Sequence, residues 1–182
     1  MHWLSRKRYK VAFLIPSLLV YTLFIVVPIF VGIGYSFTKY TGIGKAKFNG
    51  LSNYQRLVHD KLFWSSLTNT LVIFVVASVM LLVLSFALAL LLNSKLKFSD
   101  TSKALIFSPA IIAPIIVGII WVYILDPKIG LINSLLHAAG LDSFRHQWIG
   151  GTVLSPYSTA IIFFWQQLGY LTTIFIAGLK MI

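Results

Sequence analysis

Four residues on one helical face are the best placed in this sequence to meet a solute. Gln166, Gly169, Tyr170 and Thr173 fall at i, i+3, i+4 and i+7 within an apolar stretch, and Leu168, Leu171, Ile174 and Phe175 occupy the opposite face. An amide, a phenol and a hydroxyl can donate and accept hydrogen bonds, but no neighbouring base makes any of them a nucleophile. In hydrocarbon such groups are costly unless they pair or line a wet path. The stripe is therefore expected to face the interior of a helix bundle, either as packing or as the wall of a solute path.

Other chemistry finds little support. There is no cysteine and no glutamate, and the carboxylates are Asp60, Asp100, Asp126 and Asp142, all outside the apolar blocks. Paired-carboxylate catalysis needs two of these four to meet in space. His2, His59, His137 and His146 are scattered, with no i, i+4 pair of the kind that holds zinc on a helix. No serine sits in a nucleophile motif, and no phosphate-cradling G-x-x-x-x-G-K-[ST] sequence is present. Gly42-Ile43-Gly44-Lys45 lacks that spacing and reads as a loop. The chain is expected to be no enzyme, to hold no metal and to carry no cofactor.

The elements that position the stripe are membrane spans. Of 182 residues, 58% are hydrophobic and only 10% charged, against about 25% charged in ordinary soluble domains. The apolar residues gather in long uncharged blocks, the signature of a bilayer-spanning helix. A net charge of +11 is carried beside these blocks and not on one basic face, which fits anionic lipid headgroups and excludes nucleic acid as a partner.

The expected fold is all-α, a polytopic transmembrane helix bundle with four spans at about 11–37, 67–92, 104–125 and 157–179. The first block is too long for a signal peptide and is read as an uncleaved span. It is also longer than a bilayer core, and Pro16 and Pro28 offer places to bend. Between spans one and two, Ser52 and Gln55 have the form of a capping box, and Asp60 is placed to cap the next helix. Phe63 and Trp64 suit an interfacial aromatic belt, and Asn69 and Thr70 near the start of span two need partners. Ser99 or Asp100 can cap span three, which contains Pro109 and Pro114 and ends in Trp121 and Tyr123 at the far interface. A short amphipathic piece follows over 128–141, with Gly140 as its stop. The segment 142–156 is a surface loop.

Orientation follows from the basic residues. The first ten residues, the 93–103 connection and the C-terminal end hold eight Lys or Arg, whereas two much longer loops share seven. The positive-inside rule places both termini in the cytoplasm and the long loops outside.

Along nearly the whole chain, an ordered set of landmarks resembles the permease subunits of carbohydrate-type ABC importers, the maltose and glycerol-3-phosphate type. These are Gly50-Leu51-Ser52-Asn53-Tyr54, Asp60, Phe63-Trp64, Asn69-Thr70-Leu71, Ala89-Leu90-Leu91-Leu92-Asn93, Pro109, Trp121, Asp126-Pro127, Gly130 with Asn133, and Trp165 to Gly169 leading into Ala177-Gly178-Leu179. The resemblance implies a multi-pass subunit of a prokaryotic inner or plasma membrane that moves a sugar or related small solute by alternating access. It implies a second permease subunit, an external solute-binding protein and cytoplasmic ATPase subunits that handle ATP. It also implies that Leu168, Gly169 and Thr172, in the W-x-x-L-G helix, help line the solute cavity.

The family pattern continues past Leu179-Lys180-Met181-Ile182 into a Glu-Ala-Ala coupling loop and two further spans. The 182 residues are thus expected to form one transmembrane permease domain, truncated before that loop and unable to couple to ATP hydrolysis alone. The alternative is a truncated, non-transporting membrane scaffold or remnant. The identity of the solute is not legible.

Overall fold

The computed structural model describes residues 7–93 and 99–181. The helices are α1 Lys7–Tyr21, α2 Val27–Ser36, α3 Ser52–Val58, α4 Lys61–Asn93, α5 Ser99–Ile111, α6 Pro114–Ile124, α7 Leu131–Ala138 and α8 Ser155–Leu179. Two short strands, β1 Thr38–Lys39 and β2 Lys47–Phe48, pair antiparallel between α2 and α3. The protein is an all-α membrane protein, with two compact units dividing between Trp64 and Ser65.

In the first unit, Val11–Ser36 forms one apolar stretch of 26 residues, about 39 Å of helix at 1.5 Å per residue. None of its residues is buried, which water would penalise and lipid does not. The helix runs through Pro16 without a break, whereas a π turn, Thr22–Val26, precedes Pro28. A proline ring collides with the carbonyl four residues earlier, here that of Phe24, and one wider turn relieves the collision. The Val27 N–H bonds back to the Thr22 carbonyl across that turn.

The connection after α2 is pinned by Asn53. Its Nδ2 donates to the carbonyls of Ser36 at 2.9 Å and Thr38 at 2.8 Å. The Tyr54 hydroxyl meets Ser36 Oγ at 2.6 Å. The capping box expected at Ser52 and Gln55 does not form. Leu51 occupies the cap position of α3 without a side-chain bond, and the Ser52 N–H turns to the Asn49 carbonyl. Asp60 does cap α4, its Oδ1 accepting from the Leu62 N–H at 2.8 Å and the Phe63 N–H at 3.4 Å.

In the second unit, α4 buries Ala77, Ser85, Ala89 and Leu92. The small residues among them, Ala77, Ser85 and Ala89, let helices approach closely where no hydrophobic effect drives them together. Ala89, Leu92 and Ile176 form the buried cluster, with Ile106, Phe175 and Leu179 packed against it. The Phe86 and Phe175 rings meet edge to face at 5.6 Å.

The third apolar block, expected as one span over 104–125, is broken. It is two helices, Ala104–Ile111 and Pro114–Ile124, bent by 102°. Ala113, the residue before Pro114, is extended at φ −58° and ψ 134°, as clash with the proline ring demands. Pro109 lies inside α5 and leaves the Leu105 carbonyl without its usual N–H, and Ser108 Oγ donates to that carbonyl at 2.9 Å. Among the described residues, three helices are long and apolar enough to cross a membrane, and the bent pair is a further candidate. The basic connection with Lys95 and Lys97, and the capping side chains expected at Ser99 and Asp100, lie outside the described residues.

Candidate functional site

Helix α8 carries the residues singled out for a solute path, and α5 is its main neighbour. Gln166, Gly169, Thr172 and Ile176 are buried on α8. Gly169 sets the approach: a Cβ there would collide with the backbone of Ile106 and Phe107. A helix can come this close to another backbone only over glycine.

One turn earlier, Gln166 Nε2 donates to the Ile112 carbonyl at 3.1 Å. Ile112 is the first residue past α5, where the chain turns toward α6. A helix end leaves carbonyls without intrahelical donors, and in a membrane interior water is not there to satisfy them. The amide of Gln166 supplies the missing donor from across the interface.

The polar stripe predicted to face the interior divides. Gln166 and Gly169 are buried as expected, but Tyr170 is 55% exposed and Thr173 is exposed as well. Thr172, placed by the family resemblance and not by the stripe, is only 2% exposed. Its hydroxyl donates to the Leu168 carbonyl at 2.7 Å, and Thr173 donates to the Gly169 carbonyl at 2.9 Å. Leu168 is half-buried. The interior face is thus turned from the stripe toward Thr172 and Ile176, because α5 packs on that side of Gly169. Thr173 instead joins Ala104, Phe107, Ile176 and Lys180 around an open cavity of about 400 Å³.

Trp121, expected at an interface, meets Trp165 of α8 edge to face at 5.5 Å. Its indole nitrogen and the Ser85 hydroxyl are buried without a hydrogen-bond partner among the described residues.

The connection between α6 and α8 is organised by Asn133, which is 2% exposed. Its Nδ2 donates to the carbonyls of Pro127 and His146, each at 3.0 Å. Its Oδ1 accepts from the Trp148 indole N–H at 2.9 Å and the His146 N–H at 3.3 Å. Spacing along the chain does not reveal this hub, since its partners lie 6, 13 and 15 residues away; the resemblance marked Asn133 without a role. A side chain on Gly130 would strike the Asp126 backbone, so the turn that delivers Asn133 closes only over glycine.

Two carboxylates in this connection are held below their usual range. The Asp126 carboxylate accepts from the N–H groups of Ile129 and Lys128, which stabilise its charged form. For Asp142 the cause is a hydrogen bond from His137 at 2.8 Å, then one from Arg145 at 3.0 Å. Gly140, at φ 72°, ends α7 as expected, and Asp142 follows it within reach of His137.

No family model matches the chain. Among curated proteins, it is 32% identical over 175 residues to the "Probable ABC transporter permease protein PH1215" of Pyrococcus horikoshii, covering 96% of this chain and 60% of that protein. It is 30% identical over 170 residues to the "Probable starch degradation products transport system permease protein AmyD" of Thermoanaerobacterium thermosulfurigenes, covering 93% and 57%. Among solved structures, a bacterial alginate ABC transporter, crystallised with its alginate pentasaccharide-bound periplasmic protein, superposes with a TM-score of 0.74 at 22% identity. That match covers 98% of this chain and 59% of the other, and it establishes a shared fold. The chain spans about 60% of the length of the curated relatives it matches.

Proposed function

We propose that this chain, a homologue of ABC sugar-importer permeases along more than nine-tenths of its length, forms part of the translocation path for a sugar or related small solute. The observation that carries this is the joint match in sequence and fold, since the relatives are transport permeases and the structural neighbour belongs to an alginate ABC transporter. What the chain contributes is position and passage, by alternating access between the two sides of the membrane.

In this reading the spans are α1 with α2, α4, the broken pair α5 and α6, and α8, with both termini in the cytoplasm of a prokaryote and the Asn133 connection outside. A broken helix within a membrane is tolerated where it faces protein or a water-filled cavity, and the α5–α6 break fits a path wall. Gln166, Leu168, Gly169, Tyr170, Thr172 and Thr173 take two kinds of role. Gln166 and Gly169 hold α8 against α5, with Thr172 buried and Leu168 half-buried on the same helix. Tyr170 and Thr173, exposed on this chain, are the side chains a solute or the second permease subunit meets.

The partners are a second permease subunit, an external solute-binding protein and cytoplasmic ATPase subunits, which handle the ATP. Support comes from the structural neighbour, which was crystallised with a periplasmic protein. The test is deletion of the gene in its host, followed by uptake assays over a panel of radiolabelled sugars and purification of the tagged chain from native membranes. Loss of uptake of one sugar, restored by the gene, with co-purification of a second permease supports the reading. Unchanged uptake of every sugar, with the chain purifying alone, contradicts it.

A further inference from the structure

Helix α7, Leu131–Ala138, is turned opposite to a helix that water surrounds. A surface helix in water buries its apolar stripe and shows its polar side. Here the polar Asn133 is buried, its amide engaged with the carbonyls of Pro127 and His146 and with the Trp148 indole. Leu131, Leu135 and Ala138 fall at i, i+4 and i+7 on an outer face, and the two leucines are 54% and 58% exposed. Ile132 and Leu136 are half-buried.

The polar groups around α7 ask little of water. Asp142 is already paired with His137 at 2.8 Å and Arg145 at 3.0 Å. At the C-terminal end of the helix the Gly140 N–H donates to the His137 carbonyl at 3.0 Å and the Leu141 N–H to the Leu136 carbonyl at 2.8 Å. Carbonyls that a helix end leaves open are thus closed by backbone.

The outer face of α7 continues the apolar surface of a membrane helix. On α6, Ile115, Ile119 and Val122 form an exposed row at i, i+4 and i+7, and Tyr123 beside them is exposed as well. Only residues 125–130 separate α6 from α7. The chain doubles back there: the Asp126 carbonyl accepts from the Gly130 N–H at 3.1 Å, and a Cβ on Gly130 would strike the carbonyls of Asp126 and Ile124. Helix α7 therefore lies against α6, and Ile129, 75% exposed, stands in the turn between the two exposed rows.

We infer that α7 lies in the plane of the membrane surface, with Leu131, Leu135 and Ala138 inserted into the leaflet where α6 ends and Asn133 facing the protein. The occupant of the outer face is phospholipid. An interfacial helix of this kind sinks about 5–10 Å into the boundary between headgroups and acyl chains. Because the nearby carboxylate is already paired, apolar burial supplies the attraction and an anionic headgroup is not required. The helix then fastens the connection organised by Asn133, which leads into α8, to the bilayer surface. The inference needs the chain to span a membrane and stands whether or not it carries a solute.

The sequence lacks cysteine, so Leu131→Cys and Leu135→Cys can each carry one bimane label on the 182-residue chain in phosphatidylcholine nanodiscs. Ile119→Cys, exposed on α6, marks a deep position, and Ala46→Cys, exposed between β1 and β2, marks an aqueous one. The quenchers are lipids with a nitroxide near the headgroup, lipids with a nitroxide near the chain end, and iodide in the water. Labels at 131 and 135 are expected to be quenched more by the shallow nitroxide than by the deep one, the label at 119 in the reverse order, and the label at 46 chiefly by iodide. Added phosphatidylglycerol should leave the quenching at 131 and 135 unchanged. Thermal midpoints matching that of the parent chain show that the variants fold, and either α7 position alone decides. The inference is overturned if the α7 labels are quenched by iodide as strongly as the label at 46, which places the face in water. It is equally overturned if they are shielded from every quencher, which means that protein covers the face, or if lipid quenching appears only with phosphatidylglycerol, which makes charge the cause.

Discussion

The side-chain amide of Gln166 donates to the carbonyl of Ile112 at 3.1 Å, tying α8 to the point where α5 gives way to α6. The bond spans 54 residues of sequence, and it gives a donor to a carbonyl that no helix satisfies. Gln166→Leu keeps the volume and removes the donor. A buried acceptor left unpaired costs about 1–3 kcal/mol, so the variant should unfold at a lower temperature in detergent, and Gln166→Glu, protonated at low pH, should recover part of the loss there. An unchanged midpoint in Gln166→Leu would show that the bond contributes nothing.

Gly169 makes the neighbouring contact. Gly169→Ala places a Cβ against the backbone of Ile106 and Phe107, and backbone cannot rotate aside as a side chain can. Overpacking of this kind costs about 1–3 kcal/mol. Gly169→Leu should separate α8 from α5 and abolish uptake in a functional assembly, whereas Gly178→Ala, which meets open space on the same helix, should leave stability unchanged. Wild-type transport kinetics in Gly169→Leu would take this contact out of the path.

Ser85 offers the opposite case. Its hydroxyl is fully buried in α4 without a partner among the described residues. Removing a buried, unsatisfied polar group lifts its desolvation cost, about 1 kcal/mol or more. Ser85→Ala should therefore raise the thermal midpoint. A lowered midpoint would mean that the hydroxyl meets a partner in the membrane.

Asn133→Ala removes four hydrogen bonds at once and leaves the carbonyls of Pro127 and His146 and the Trp148 indole short of partners. Hydrogen exchange at the His146 amide should accelerate by at least about tenfold, corresponding to roughly 1.4 kcal/mol of lost protection. Exchange in the first unit, up to Trp64, should not change.

The Asp142 contacts carry a pH dependence with a definite sign. The folded-state pKa is depressed below its ordinary 3.8, first by His137 and then by Arg145. The contribution to local stability is therefore present above the unfolded value and is lost as pH falls through the folded one. Protection of the 137–146 segment should decline as pH is lowered below about 4, and Asp142→Asn should flatten that decline. An identical acid profile in the two proteins would remove Asp142 as its cause. These groups are exposed, so the effect is confined to the loop.

Much of this arrangement is legible in the chain because it depends on local chemistry. Asp60 caps α4 for the reason its position suggests, Gly140 stops α7, and Pro28 marks the place where helix α1 must widen before α2. Pro109 and Pro114 announce a weak point in the third apolar block, but the partner that satisfies the carbonyl at the 102° bend, Gln166, lies 54 residues along the chain. The interior stripe divides in an instructive way. Spacings of three and four residues both satisfy a helical period, and only contact with α5 selects Gln166, Gly169, Thr172 and Ile176 over Tyr170 and Thr173. The Ser52 and Gln55 pair fails because Asn49 and Asn53 draw the local hydrogen bonds to the end of α2 instead.

The central claim is that α8 borders a wet solute path, and the absence of cysteine from the sequence makes it directly measurable. Thr173→Cys and Tyr170→Cys would be compared with Val20→Cys, in the exposed apolar helix α1, for labelling by a charged, membrane-impermeant thiol reagent in native membranes containing the partner subunits. The account predicts labelling at position 173 or 170 that is slowed by the transported sugar, and none at position 20. If neither α8 position is labelled from either side of the membrane, α8 does not border the path and the account is contradicted.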